Sequence, residues 1–231
     1  MTNPRTAGTP LLQNVKELYG LKLATVDGEV GHVKDFYFDD QAWVVRYVVV
    51  DTGSWLTGRL VLLSPHAFPN LDQRAGALPV NLRKAQIQDS PSIGTHETVT
   101  RQFEEQYYRS YGWPVYWEGG QMWGLSGYPL AAIPQSPIPA VRKAHEPRAD
   151  RHLQSTKEVA GHHLEATDGT VGRVTNFHLN PRSWAIEELV VETGHWRAGE
   201  QILVPAGKIE RIDFMEKKVL VQLTRAELQR L

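Results

Sequence analysis

The sequence predicts a mainly β protein made of two small antiparallel barrels, and three observations carry that prediction. First, the chain repeats itself at an offset of 141 residues: between Gly20 and Leu63, 16 of 44 positions are identical in the second copy. A period this long marks a duplicated structural unit. Second, each copy consists of short runs rich in Val and Leu, broken by Asp-Gly, Thr-Gly and other turn residues, the pattern of small barrels and rolls. Third, the roughly 70 residues between the copies differ in character, with Tyr, Trp, Gly and Pro concentrated there.

Residues 1–14 contain Pro4, Gly8 and Pro10 and few apolar side chains, which predicts a flexible N-terminus. The first barrel is expected over 15–90. Leu21–Thr25 alternates around Leu23 and meets Asp27-Gly28, a tight hairpin turn, before a second strand over Val30–Phe38. Val44–Asp51 is rich in β-branched residues and reads as a third strand. Thr52-Gly53-Ser54-Trp55 and Gly58 mark the next turn, and Leu60–Leu63 and Ala77–Leu82 supply two more strands. Closing such a sheet on itself protects its edges. The second barrel is expected over 159–231, with Gly161, Asp168-Gly169, Val171-Gly172, Phe177, Trp184, Val190-Val191, Thr193-Gly194, Trp196 and Gly199 in the matching places. Val219–Leu223 falls over Leu78–Leu82, and Leu223–Leu228 predicts a strand end passing into a helical turn capped by Thr224.

Residues 91–158 are expected to join the barrels through a helix and an aromatic, Pro/Gly-rich linker. The helix is predicted over 97–111, capped by Thr95 or Thr98 and ended by Gly112 and Pro114, with Phe103, Tyr107 and Tyr111 on one face. Pro129, Pro134, Pro137 and Pro139 then favour extended backbone, and the charges from Arg142 to Glu158 suggest a solvated link. Two roles suit the aromatics: packing on the first barrel or between barrels, or an exposed surface for another chain.

Gly20 with Leu23, Asp27-Gly28 with Val30-Gly31, Val33, Phe36, Trp43 and Tyr47–Val50, each with its second-copy partner, resemble the PRC-barrel domain. That domain forms the barrel of the photosynthetic reaction centre H subunit's cytoplasmic part and of the C-terminal half of a ribosome maturation factor. The resemblance covers about 145 residues of both copies. Tandem barrels joined through a segment like Tyr107-Tyr108-Arg109-Ser110-Tyr111-Gly112-Trp113-Pro114 are similar to a group of bacterial proteins, some described as stress-related. The resemblance implies the fold and supplies no catalytic residue.

Composition narrows the chemistry further. The chain has 231 residues, a formal charge of −1 and no cysteine, which removes disulfides, thiolate zinc sites, iron–sulfur clusters and cysteine nucleophiles. The charge balance is even along the chain, which disfavours phosphate-backbone binding as the main task. The most apolar run, Val44–Val50, is interrupted by Arg46, and a membrane span needs about 20 residues. No membrane insertion is expected, and a cytoplasmic location is. His162, His163, His178 and His195 are the best enzyme lead, since neutral imidazole is a common metal ligand. Their spacing matches no helical metal motif. No Gly-x-Ser-x-Gly elbow is present, and Gly28-x-x-Gly31 lacks the Lys and helix of a phosphate loop.

The expected function is a non-enzymatic scaffold or adaptor without cofactor or metal. It would bind a protein partner, or itself as a homodimer, through its barrels and linker. The candidate partner-binding residues are Tyr107, Tyr111, Trp113, Tyr116, Trp117 and Trp123, with Trp55 and Trp196 in the barrel turns. The alternatives are an RNA- or ribosome-assembly-associated factor and a metal-dependent enzyme using the second-barrel histidines.

Overall fold

The computed structural model describes residues 11–69, 71, 76–90, 92–93, 99–130, 153–194 and 199–231. The first module begins with strand β1 (Gln13–Asn14) and helix α1 (Val15–Leu18). β2 (Lys22–Thr25), β3 (Gly28–Asp39), β4 (Val44–Asp51), β5 (Leu60–Leu63) and β6 (Ala77–Pro79) follow, then α2 (Lys84–Gln88) and β7 (Ser92–Ile93). Helix α3 (Arg101–Tyr111) leads into the aromatic segment. The second module runs β8 (Leu153–Ser155), α4 (Thr156–Val159), β9 (His163–Ala166), β10 (Gly169–Leu179), β11 (Ile186–Thr193), β12 (Gln201–Pro205), β13 (Ile209–Asp213), β14 (Lys218–Val221) and α5 (Arg225–Leu228).

The fold is mainly β, as the sequence predicts, with two seven-stranded sheets among the described residues. One runs β6-β2-β3-β4-β5-β7 and the other β12-β11-β10-β9-β14-β13. Pairing is antiparallel except for β2–β6 and β9–β14, which are parallel. Each sheet curls around its own apolar interior. Leu23, Val33, Phe36, Val48, Val50, Leu63 and Leu78 are buried in the first. Their equivalents Leu164, Val174, Phe177, Leu189, Val191, Val204 and Val219 are buried in the second.

The repeated Val-Gly has a steric cause. A Cβ on Gly31 or Gly172 would run into the carbonyl oxygen of Asp51 or Glu192 on the neighbouring strand. Only glycine lets β3 and β10 approach that closely. The repeated Asp-Gly does two jobs. It makes the hairpin turn, and the Asp27 and Asp168 carboxylates accept the backbone N–H groups of Lys84 and Arg225, each at 2.8 Å, at the starts of α2 and α5. Those bonds hold both carboxyls below the usual aspartate value. α5 starts as the sequence predicts, capped by Thr224.

The modules interlock by exchanging their leading strands. β1 pairs with β10 of the second module, Gln13 opposite Leu179 and Asn14 opposite His178. β8 pairs with β3 of the first, Gln154 opposite Phe38 and Ser155 opposite Tyr37. These registers are identical after the 141-residue offset. The exchanged helices dock in the same way, α1 on β10 and α4 on β3. Asp35 accepts from Ser155 Oγ, from Thr156 Oγ1 at 2.9 Å and from the Lys157 amide at 3.3 Å. Its counterpart Asn176 accepts from the Lys16 amide at 3.1 Å and donates to Asn14. Buried Val15, Leu18 and Val159 add about 1.5–3 kcal/mol each. These pairings correct two expectations. Residues 13–14 are built into the second module's sheet, and the part of the charged link from Leu153 onward is strand and helix.

Between the exchanged strands lies the pseudo-two-fold axis. The Val45 N–H bonds the Trp184 carbonyl at 2.9 Å, and the Ile186 N–H bonds the Trp43 carbonyl at 2.7 Å. Trp43 and Trp184 both adopt left-handed backbone, with φ of 55° and 61°, which costs a non-glycine residue about 1 kcal/mol or more. The strain is held in place by this reciprocal junction. Trp184 is buried and packs against Phe68; Trp43 stacks on Phe38.

Candidate interaction surfaces

α3 and the aromatic segment cover the outer face of the first sheet. Thr100 caps α3 by accepting the Phe103 N–H at 3.2 Å. This differs from the predicted caps, since the helix starts later; Thr95 and Thr98 lie outside the described residues. Gly112 ends it in left-handed backbone, and the Trp113 N–H returns to the Tyr108 carbonyl. Phe103, Tyr107 and Tyr111 share a face, as predicted, with ring centroids 6.3 and 5.0 Å apart along it.

At the centre of this cover is a buried carboxylate. Glu104 accepts from Tyr47 Oη at 2.9 Å and Tyr116 Oη at 2.7 Å and pairs with Arg101 at 2.9 Å. The Tyr107 hydroxyl accepts the Ser64 N–H at 2.8 Å. From the sheet, Arg46 reaches outward, with its guanidinium 3.9 Å from the Tyr116 ring centroid and 4.9 Å from that of Trp123. It donates to the Met122 carbonyl and pairs with Asp39. His66 sits among Tyr108, Trp113 and Trp123 and bonds the Leu130 carbonyl through Nδ1 at 2.8 Å. Burial pushes the Tyr47, Tyr107 and Tyr116 hydroxyls well above the usual tyrosine value, and Tyr111 up to about 12. Burial, with Arg46 nearby, lowers His66.

This arrangement places the predicted partner-binding residues. Tyr107, Tyr111, Trp113, Tyr116 and Trp123 lie in the core, each 5% exposed or less. The expectation of an exposed aromatic surface is corrected for these five: stacking, hydroxyl bonding and burial against β4 and β5 use their faces. Tyr111 and Trp113 stack at 4.4 Å, and Trp123 Nε1 donates to the Ser183 carbonyl of the second module at 2.8 Å. Trp117 is half-buried under Arg101. Trp55 is exposed. Trp196 lies outside the described residues.

The described histidines of the second module are not gathered around one point. His162 is buried edge-on to Phe214, His163 lies on β9, and His178 pairs with Glu188 at 2.9 Å; His195 lies outside the described residues. Among the described residues no three His, Asp or Glu side chains converge on one point.

The second module carries no equivalent cover among the described residues. Where Tyr47 is sealed under Glu104, Glu188 stands half-exposed beside His178. The edges differ as well. β7 lies along β5, Ile93 opposite Leu60 and Ser92 opposite Val61. Among the described residues the matching strand β12 pairs only with β11. Leu62 is 0% exposed and its counterpart Leu203 is 45% exposed.

The orientation of the free groups on β12 follows from its register. The Thr193 N–H bonds the Glu200 carbonyl. In an antiparallel ladder bonded pairs alternate, so Ile202 and Val204 direct their amides and carbonyls at β11. Gln201, Leu203 and the Pro205 carbonyl face away from β11, toward an edge on which no strand pairs among the described residues.

Fold and surfaces together define a protein of two interlocked β modules, one clad by its own helix and one without such a cover among the described residues. Residues 14–87 match the family model of the PRC-barrel domain, so the resemblance read from the first copy is shown there. The second copy repeats the order β6-β2-β3-β4-β5 as β14-β9-β10-β11-β12, with β13 added beyond β14. No curated protein matches the chain. Among the described residues no helix is long and apolar enough to cross a membrane.

Proposed function

We propose that this chain is a non-enzymatic scaffold or adaptor built as an intramolecular pair of PRC-type barrels, roughly 15–90 and 159–231 with 91–158 between them. The observation that carries the reading is the inequality of two otherwise matching modules. The first has its outer face and β5 edge covered by the chain itself, whereas among the described residues the second carries Glu187 and Glu188 where the first has Arg46 and Tyr47, and no strand lies along the β12 edge. A cover held by a buried carboxylate, stacked rings and a guanidinium is structural, which leaves the second module as the binding side and the aromatic segment as the brace between modules. PRC-barrel modules are in general non-catalytic, which supports the same reading. A cytoplasmic location fits it.

Affinity capture with the full chain from a lysate of its source cells, with and without nuclease, tests it. A protein retained after nuclease and lost with Leu203→Lys supports the adaptor. Ribosomal components that vanish with nuclease would overturn it in favour of RNA binding. Stoichiometric metal in protein purified without a His tag would overturn it in favour of an enzyme.

A further inference from the structure

We infer that the β12 edge is a self-association surface, at which two copies of this chain pair β12 with β12 antiparallel about a two-fold axis through Leu203. The inference rests on the reading of the second module as the binding side and names its occupant.

Three observations carry it. The seat is demonstrated within the molecule, because β7 pairs antiparallel with β5 at the positions equivalent to Gln201 and Ile202. The free backbone groups are self-complementary. With Leu203 opposite Leu203 of the second copy, each Leu203 amide bonds the other's carbonyl. Each Gln201 amide then meets the opposite Pro205 carbonyl. Proline has no N–H to offer, and Pro205 sits at the outer end of this ladder, so the missing donor interrupts nothing at its centre. The edge is also uncharged: Gln201-Ile202-Leu203-Val204-Pro205 carries no Lys, Arg, Asp or Glu. Solvated edges are commonly protected by charge, and like charges placed opposite one another would oppose pairing. The nearest charges of β11, Glu188 and Glu192, lie one strand further in. Leu203, half-exposed on this strand, gains a neighbour of its own kind in the paired state.

The test is sedimentation of the full chain from low to high micromolar concentration. The wild type should shift from monomer to dimer. Leu203→Lys and Leu203→Pro should each weaken the dimer about tenfold or more, the size expected from losing roughly 1.4 kcal/mol of pairing. Neither touches a group bonded to β11, and circular dichroism confirms the fold. The chain has no cysteine, so Leu203→Cys gives a clean cross-link: facing residues of a bonded pair lie about 5.5 Å apart, within disulfide reach. Leu203→Cys should oxidise to a disulfide dimer, and Met215→Cys, at a fully exposed site away from β12, should not. A monomer at every concentration, or a dimer indifferent to Leu203→Lys with no cross-link, overturns the inference. Either result leaves the adaptor reading to be judged by capture, where RNA or metal is what defeats it.

Discussion

The two modules share a register across strands, turns and helix caps, and their outer surfaces part most clearly at β5 and β12. β5 is covered on its outer face by α3 and along its edge by β7; β12, in the same place, has neither among the described residues. The sequence difference tracks the cover. Arg46-Tyr47 and Leu62 face an aromatic wall, whereas Glu187-Glu188 and Leu203 face outward. Duplication therefore preserved the barrel interior and the exchange of leading strands, while the outer faces took different partners. In the first module the partner is the chain itself.

The largest expected contrast comes from removing a ring of the cover. Trp113→Ala should cost about 3–5 kcal/mol in urea unfolding, whereas Leu203→Ala should change monomer stability by less than about 1 kcal/mol. Loss below about 1 kcal/mol for Trp113→Ala would mean that the segment is not packed as described. Next is the buried carboxylate. Glu104→Gln keeps the shape but weakens the bonds to Tyr47, Tyr116 and Arg101 and should cost about 1–3 kcal/mol. Glu188→Gln, at the position equivalent to Tyr47 in the second module, should cost under about 1 kcal/mol, measured by the same unfolding curves.

The junction should respond symmetrically. Asp35→Ala and Asn176→Ala each remove the acceptor for an exchanged helix and should each cost about 1–2 kcal/mol. Strong inequality between them would argue against reciprocal exchange. The smallest effect is on pH. Burial holds the proton affinity of His66 in the fold below the usual histidine value. As pH falls below the usual histidine range the unfolded chain takes the proton first, so stability falls and then levels off below the lowered folded value. Burial lowers His162 in the same direction. His66→Gln should flatten part of the melting-temperature profile between neutral and mildly acid pH and leave the His162 share.

Much of this fold is legible in the sequence because the repeat constrains it. Val44–Asp51 and Leu60–Leu63 are strands at the predicted boundaries, since β-branched runs between Gly turns leave little alternative. The exchange is less legible, although a signal exists. The same offset places Leu12-Gln13 on Leu153-Gln154 and Lys16-Glu17 on Lys157-Glu158, upstream of where the second barrel was expected to begin. Two-residue strands give no periodicity, so only the repeat marks them. The aromatic segment shows the limit from the other side. Tyr and Trp suit cores and interfaces equally well, and composition cannot tell which face meets β4. Arg46 and Glu104, the charged groups that settle the matter, carry no mark of burial in the sequence, and their roles emerge only when the strand and helix are brought together. The bare edge of β12 is a property of pairing and has no signature within the strand beyond its lack of charge.

Amide hydrogen exchange at Leu60 and its counterpart Gln201, with Leu203 alongside, tests the inequality of the modules directly. Leu60, paired to β7, should be protected at every protein concentration. Gln201 and Leu203 should exchange rapidly in dilute protein and slow as concentration rises. Protection of Gln201 and Leu203 equal to that of Leu60 in dilute protein would show that the second edge is already covered and would contradict the account.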